Sequence, residues 1–185
     1  EEEKAQIAAD EAAWKTTFAS KTESAYRYYI THFPSGIHIA KANKLLKQLI
    51  KERDDRNWEK ALSYNTIESY REYIAVSENK TREKEANARI NKTIDENDWI
   101  TALRLDTIEG YIEYINKHHY PHSNIHWSEA QSAIKRLRDA EDEKKWEHTC
   151  NEDSLDAYKD YLSKYPEGNH TDECKFRIDE KAWRY

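Results

Sequence analysis

One segment recurs four times and restricts the folds open to this chain. Trp14, Trp58, Trp99 and Trp146 are each followed twelve residues later by a tyrosine: Tyr26, Tyr70, Tyr111 and Tyr158. A second tyrosine stands three residues further on (Tyr29, Tyr73, Tyr114, Tyr161), and then Ile30, Ile74, Ile115 or Leu162. Successive tryptophans lie 44, 41 and 47 residues apart and the tyrosines keep the same intervals, so length varies only outside the block. A rigid block at such a period marks an array of small supersecondary modules, none of which can bury its apolar face alone.

The local pattern is helical throughout. From Glu1 to about Ser20 the residues are strong helix formers. Around each Trp a large, small, large stripe repeats at helical spacing: Trp14, Thr17 and Phe18; Trp58, Ala61 and Leu62; Trp99, Ala102 and Leu103; Trp146, Thr149 and Cys150. Asn65 with Glu68, and Asp106 with Glu109, have capping-box spacing, with Asp153 and Asp156 a weaker version. These predict an Asx cap for a short helix of about twelve residues, a role that Thr66 or Ser154 can share and that falls to Thr22 in the first module. The short helix ends at Phe33-Pro34-Ser35-Gly36, Tyr120-Pro121-His122-Ser123 and Tyr165-Pro166-Glu167-Gly168, where proline cannot continue it. The second module turns through Ser77-Glu78-Asn79-Lys80 without either breaker.

A third helix then opens on a small residue, Ala42, Ala86, Ala130 or Cys174, with Leu46, Ile90, Ile134 or Ile178 four later. No breaker separates it from the next Trp, which falls about half a turn round the helix from the small residue at ~100° per residue. One continuous helix with two displaced apolar faces must serve two successive cores. The expected fold is therefore all-α, with long and short helices alternating in four tandem units at 1–51, 52–92, 93–137 and 138–185. Long helices rising ~38 Å against short returns of ~18 Å predict an elongated rod or superhelix.

Composition narrows the function classes. Charged residues make up 36% against 37% hydrophobic, with three Gly and three Pro, the profile of helices with wet outer faces. Six Trp and thirteen Tyr supply the bulk for an aromatic core that a disordered chain of this charge would lack. A net charge of −6 argues against nucleic acid and anionic membrane as partners. The most basic run, Lys41, Lys44, Lys47, Lys51 and Arg53, reads as a solvated helix face. No apolar run approaches the ~18 residues of a membrane-crossing helix, and membrane insertion is not expected.

The segments AYRYYITHFPSGIHIAKA (25–42) and AYKDYLSKYPEGNHTDEC (157–174) resemble tetratricopeptide-like α-helical hairpin repeats. The likeness is to bacterial cell-envelope scaffold proteins of the Tol–Pal coordination and outer-membrane assembly type. It covers about eighteen residues per unit, although the period of 41–47 residues is longer than in those repeats and the Trp stands outside their pattern. It implies a protein-binding scaffold, brings over no catalytic residue, and leaves the compartment open between cell envelope and cytoplasm.

No residue set reaches a catalytic, cofactor or metal site. His118, His119, His122 and His126 crowd one stretch, but His126 occupies the place held by His38 and His170 and so belongs to the repeat. Cys150 and Cys174 take packing positions, are expected to lie a short-helix length apart and unbridged, and His148 falls ~200° round the helix from Cys150. The expectation is a non-catalytic module for protein–protein interaction or domain spacing, the alternative being a regulatory or targeting domain of a larger multidomain enzyme. Candidate partner-binding residues are those apolar in one unit where its siblings are polar. They are Tyr28 against Glu72, Glu113 and Asp160; Ile112 against Arg27, Arg71 and Lys159; and Trp127, which stands where Ile39, Glu83 and Thr171 do. Trp183 returns near the end of the chain, which predicts a continuing array, an exposed indole and weak self-association through this end.

Overall fold

A computed structural model of the chain describes residues 1–78, 80–118 and 125–183. Among these there are nine helices and no strand, so the chain is all-α. It divides into two compact units, Glu1–Ile90 and Asn91–Tyr185, with the division inside one helix.

The first unit holds α1 (Glu2–Ser20), α2 (Glu23–His32), α3 (Ile39–Tyr64), α4 (Ile67–Val76) and the start of α5 (Glu83–Leu105). Trp14 on α1, Tyr26 and Tyr29 on α2 and Ala42 on α3 form one buried cluster, with Leu45, Leu46 and Leu49 against it. Trp58, on the far half of α3, packs instead on Tyr70 and Tyr73 of α4 at ring distances of 5.9 and 4.9 Å. The long helix thus serves two cores, as its two apolar faces require. Ala86 and Ile90 of α5 are buried with them.

The second unit repeats this with the rest of α5, α6 (Ile108–Lys117), α7 (Trp127–Glu152), α8 (Leu155–Lys164) and α9 (Thr171–Ala182). Trp99, Tyr111, Tyr114, Ala130 and Ile134 make one cluster; Trp146, Tyr158, Tyr161 and Cys174 make another. α7 contributes to both. The four core tryptophans are 6–9% exposed, and each meets its two tyrosines in tilted or edge-on geometry, an arrangement worth ~0.5–1.5 kcal/mol per pair beyond burial.

The helix junctions differ from the capping expected of Asn65, Asp106 and Asp153. These residues, with Lys21, end the long helices as left-handed C-caps at φ of 44–51°. The hydroxyl residue that follows is the N-cap of the short helix: Thr22, Thr66, Thr107 and Ser154 accept from the backbone N–H of Ala25, Ser69, Gly110 and Ala157. Asn65, Asp106 and Asp153 then accept from the hydroxyls of Tyr70, Tyr111 and Tyr158 at 2.6–2.9 Å. Asx side chains tolerate this backbone region, and here they tie the end of one helix to the body of the next. Each short helix has ten residues.

Two packing expectations also change. The third member of the Trp stripe is not core: Phe18 and Leu103 are exposed, while Leu62 and Cys150 are half-buried. Burial stops at the small residue, Thr17, Ala61, Ala102 or Thr149, which lets α1, α3, α5 and α7 approach the helix after them. The thiols are unbridged, but they do not lie a helix length apart. α8 returns antiparallel and sets α9 beside the end of α7, where Lys181 meets Asp153 at 2.8 Å, and Cys150 packs on the cluster that contains Cys174.

Candidate functional site

The most organised polar chemistry in the chain sits beneath the turns, and sequence reasoning missed it. Four aspartates, Asp10, Asp54, Asp95 and Asp142, are only 0–8% exposed, and each stands four residues before a core Trp. Each accepts a hydrogen bond from the second tyrosine of its module: Tyr29, Tyr73, Tyr114 and Tyr161. The other carboxylate oxygen takes a turn N–H in three modules, from Ile37, Ile125 and Asn169. The tyrosine oxygen in turn accepts from the backbone N–H of His38 and His126. Both oxygens of a carboxylate that must lose water are thereby hydrogen-bonded.

A second layer closes each turn over the indole. His38, His126 and His170 stack flat on Trp14, Trp99 and Trp146 at 4.7–4.9 Å, and each reaches Glu11, Glu96 or Glu143, the residue after the buried aspartate. In the second module Arg82 takes this place, over Trp58 at 5.9 Å and paired with Asp54 and Asp55. Ser77 also donates to Asp54 at 2.6 Å. Side chains thus do there what a proline-glycine turn does elsewhere. Burial, followed by the Asp10 hydrogen bond, pushes the Tyr29 phenol up to about 12, and burial raises Tyr114 and Tyr161 as well.

His118 adds a variation in the second unit. It faces Asp95 and Asp98 at 3.3 and 2.9 Å, in the place where Phe33 and Tyr165 stack on their tyrosines. Burial would raise the Asp98 carboxyl, but hydrogen bonds from Lys117 and His118 outweigh it and hold the group below the usual range. His119, His122 and the turn at Tyr120–Ser123 lie outside the described residues, as do Asn79, Arg184 and Tyr185. Among the described residues no group of three or more His, Cys, Asp or Glu side chains could hold a metal ion. No described helix is long and apolar enough to cross a membrane. Burial raises both thiols, Cys150 and Cys174, which disfavours the reactive thiolate.

Among several surface depressions of the described residues, larger ones of about 470 and 620 Å³, more polar or flatter, lie beside the first turn and along α1. One of about 410 Å³ is a groove between α3 and α4. Ala61, Ser69 and Tyr73 form its floor, and Asn57, Lys60, Tyr64, Glu72 and Val76 its sides. Tyr64 and Val76 are 64% and 55% exposed on opposite rims. One end is closed by an ion-pair clip in which Arg53 bridges Glu23 and Glu78, and Arg27 meets Glu78 at 2.7 Å. Arg53 therefore departs from the solvated basic face expected of it, whereas Lys41, Lys44, Lys47 and Lys51 are exposed. The matching surface between α5 and α6 shrinks to about 90 Å³, because Lys117 reaches across to Asp98 at 2.7 Å.

Tyr28, Ile112 and Trp127 are all exposed, at 57%, 38% and 53%, but they do not share one position of the module. Tyr28 occupies the slot that Glu72 fills in the groove, and stacks on His32 at 3.9 Å. Ile112 is one residue off the groove slot that Glu113 holds on α6, and Trp127 opens α7. Compared with known proteins, the chain matches no family model, no curated protein and no solved structure.

Proposed function

We propose that this chain is a non-catalytic helical-repeat module that binds another protein, with the α3–α4 groove as its main docking surface. The observation that carries the reading is the groove itself, a buried small-residue floor between two exposed apolar rims with Lys60 and Glu72 along the sides. An apolar centre within a charged margin is the anatomy of a protein interface. The buried aspartates, tyrosines and turn histidines are engaged in closing the fold, so they supply structure and no reaction chemistry. Tyr28, in the corresponding slot of the first module, is a second anchor, and Ile112 and Trp127 are candidate anchors on the other unit. A tetratricopeptide-like scaffold of the cell envelope is the kind of protein this reading fits.

The test is affinity capture from the native cell extract with the parent chain and with Tyr64→Glu, Val76→Glu, Tyr28→Glu, Ile112→Glu and Trp127→Glu. All five positions are exposed, and circular dichroism should confirm an unchanged fold. A partner held by the parent and lost from Tyr64→Glu and Val76→Glu supports the groove. Recovery of the same proteins by all six chains would sink it.

A further inference from the structure

The α3–α4 groove is open because the second module lacks the side chains that span the same place elsewhere. Three positions decide this, one before each Trp and fourteen and eighteen after it. In the fourth module they hold Lys145, Asp160 and Lys164, and Asp160 takes both lysines at 2.8 and 3.2 Å. In the third they hold Asp98, Glu113 and Lys117, with Lys117 on Asp98 at 2.7 Å. In the first, Tyr28 and His32 stack on each other at 3.9 Å. The second holds Asn57, Glu72 and Val76. The acid is kept, but the two cations that meet it in the fourth module are replaced by an amide and an isopropyl group. Glu72 is exposed on the wall of the groove, and among the described residues no cation pairs with it.

The length and chemistry of the groove suit a helix. From Arg53 to Tyr64 α3 rises ~16 Å, about three helical turns. Both walls are helices whose main-chain groups are bonded within them, so an extended peptide finds no backbone partner there, whereas a helix satisfies its own. The floor at Ala61 and Ser69 is small enough to admit a large side chain, and Tyr64 and Val76 flank it. Lys60 and Glu72 put opposite charges on the α3 and α4 walls, with the Lys60 ammonium 6.0 Å from the centre of the Tyr64 ring.

We propose that the groove receives a three-turn amphipathic helix of another protein, with a large apolar side chain over Ala61 and Ser69, an Arg or Lys turned to Glu72 and an acidic residue turned to Lys60. This rests on the groove being the docking surface and names what docks there. The chain has no short helix to spare for it, because α2, α4, α6 and α8 are each packed on the Trp of their own module. A second copy is limited in the same way. Modules of a tandem array pack on their sequence neighbours, and this module has one on each side, so the open groove is not where the array itself is extended.

The probe is a phage-displayed library of helical peptides of about fourteen residues, randomised on one face and selected on the full chain. The counter-variant Asn57→Asp/Val76→Lys copies the Asp98–Lys117 pair that closes the third module, and circular dichroism should confirm its fold. We expect helical binders with a large apolar residue three or four positions from an Arg or Lys. The double variant should weaken them about tenfold or more, the scale of one excluded apolar side chain, and Glu72→Lys about fivefold. Exchanging the basic residue of the peptide for Glu should restore affinity for Glu72→Lys, which a loss of packing alone does not allow. Binders weakened by the double variant that lack the cation or ignore Glu72→Lys overturn the helix proposed here and leave the groove as the docking surface. Binders that the double variant leaves untouched overturn both. Absence of enrichment overturns the helix and leaves the groove to affinity capture. Self-association abolished by Asn57→Asp/Val76→Lys assigns the groove to a second copy, and exclusion of the selected peptides from the natural polypeptide in native extract assigns it to a segment of its own chain. Either result overturns a partner in trans.

Discussion

A buried aspartate is tolerated where its oxygens are hydrogen-bonded, and the turn over Asp142 supplies a donor to each of them. Tyr161 donates to one oxygen and the Asn169 N–H to the other at 2.6 Å. Asp142→Ala leaves two buried neutral donors without an acceptor and is expected to cost ~2–5 kcal/mol, at about 1–3 kcal/mol for each. Asp179→Ala, four residues before Trp183 but exposed, should stay within ~0.5 kcal/mol. Chemical denaturation of the two variants checks the contrast, and equal losses would refute the role given to the clamp. Gly168 lies over the same pair. A Cβ there would meet the Tyr161 hydroxyl at 2.8 Å, Tyr165 Cβ at 2.9 Å and the Asp142 carboxylate at 3.0 Å. Gly168→Ala should therefore destabilise by ~1–3 kcal/mol, as overpacking does, with a lower melting temperature as the readout.

At the scale of the helix, the left-handed C-caps divide into those that do more than turn the chain and one that does not. Asp106 accepts from Tyr111 and pairs with Arg136 at 2.5 Å, whereas Lys21 holds φ 51° without an Asx side chain to offer its own tyrosine. Lys21→Gly should relieve the left-handed strain and stabilise by ~0.5–1 kcal/mol, while Asp106→Gly should gain nothing or lose stability. Thermal melts that rank them the other way would count against this reading of the junction. The same junction shows what was legible in the sequence. The Trp and Tyr-x-x-Tyr spacing exposed the helices, the shared long helix and the aromatic core, because apolar periodicity survives any local detail. In Asn65-Thr66, Asp106-Thr107 and Asp153-Ser154, two adjacent residues can both cap, and only the backbone decides that the first ends one helix and the second begins the next. Asp10, Asp54, Asp95 and Asp142 were hidden differently: in a chain with 36 acidic residues, a helical aspartate reads as solvated. Their constant place four before Trp was the available signal. The groove could not be read at all, since its size depends on whether Lys117 spans to Asp98 or Val76 stands in its place.

Across the whole molecule, the recurring phenols link folding to alkaline pH. Burial comes first among the causes that raise Tyr29, Tyr111, Tyr114, Tyr158 and Tyr161, and hydrogen bonds to Asp10, Asp106, Asp95, Asp153 and Asp142 add to it. A phenolate at any of these places would face a carboxylate already within hydrogen-bond reach. Because the folded values lie above the ordinary 10.0 and that of Tyr29 rises to about 12, the stabilisation is complete below pH 10.0. It is lost as pH climbs through the folded values, where the unfolded chain has already released its protons. Both units carry the device, so helix loss is expected to begin above about pH 10 and to steepen as each released phenol favours unfolding. Phenolate absorbance at 295 nm should rise together with the loss of the 222 nm helix signal. Tyr29→Phe separates this linkage from a general effect of base. It removes a hydrogen bond, so it should lower stability at pH 7 by ~1–2 kcal/mol, yet it also removes a titrating group, so the variant should lose proportionally less on going from pH 9 to pH 11. A stability gap between parent and variant that stays constant over that range, or phenolate formation that runs to completion with the helix signal intact, would show that the buried tyrosines do not govern alkaline unfolding.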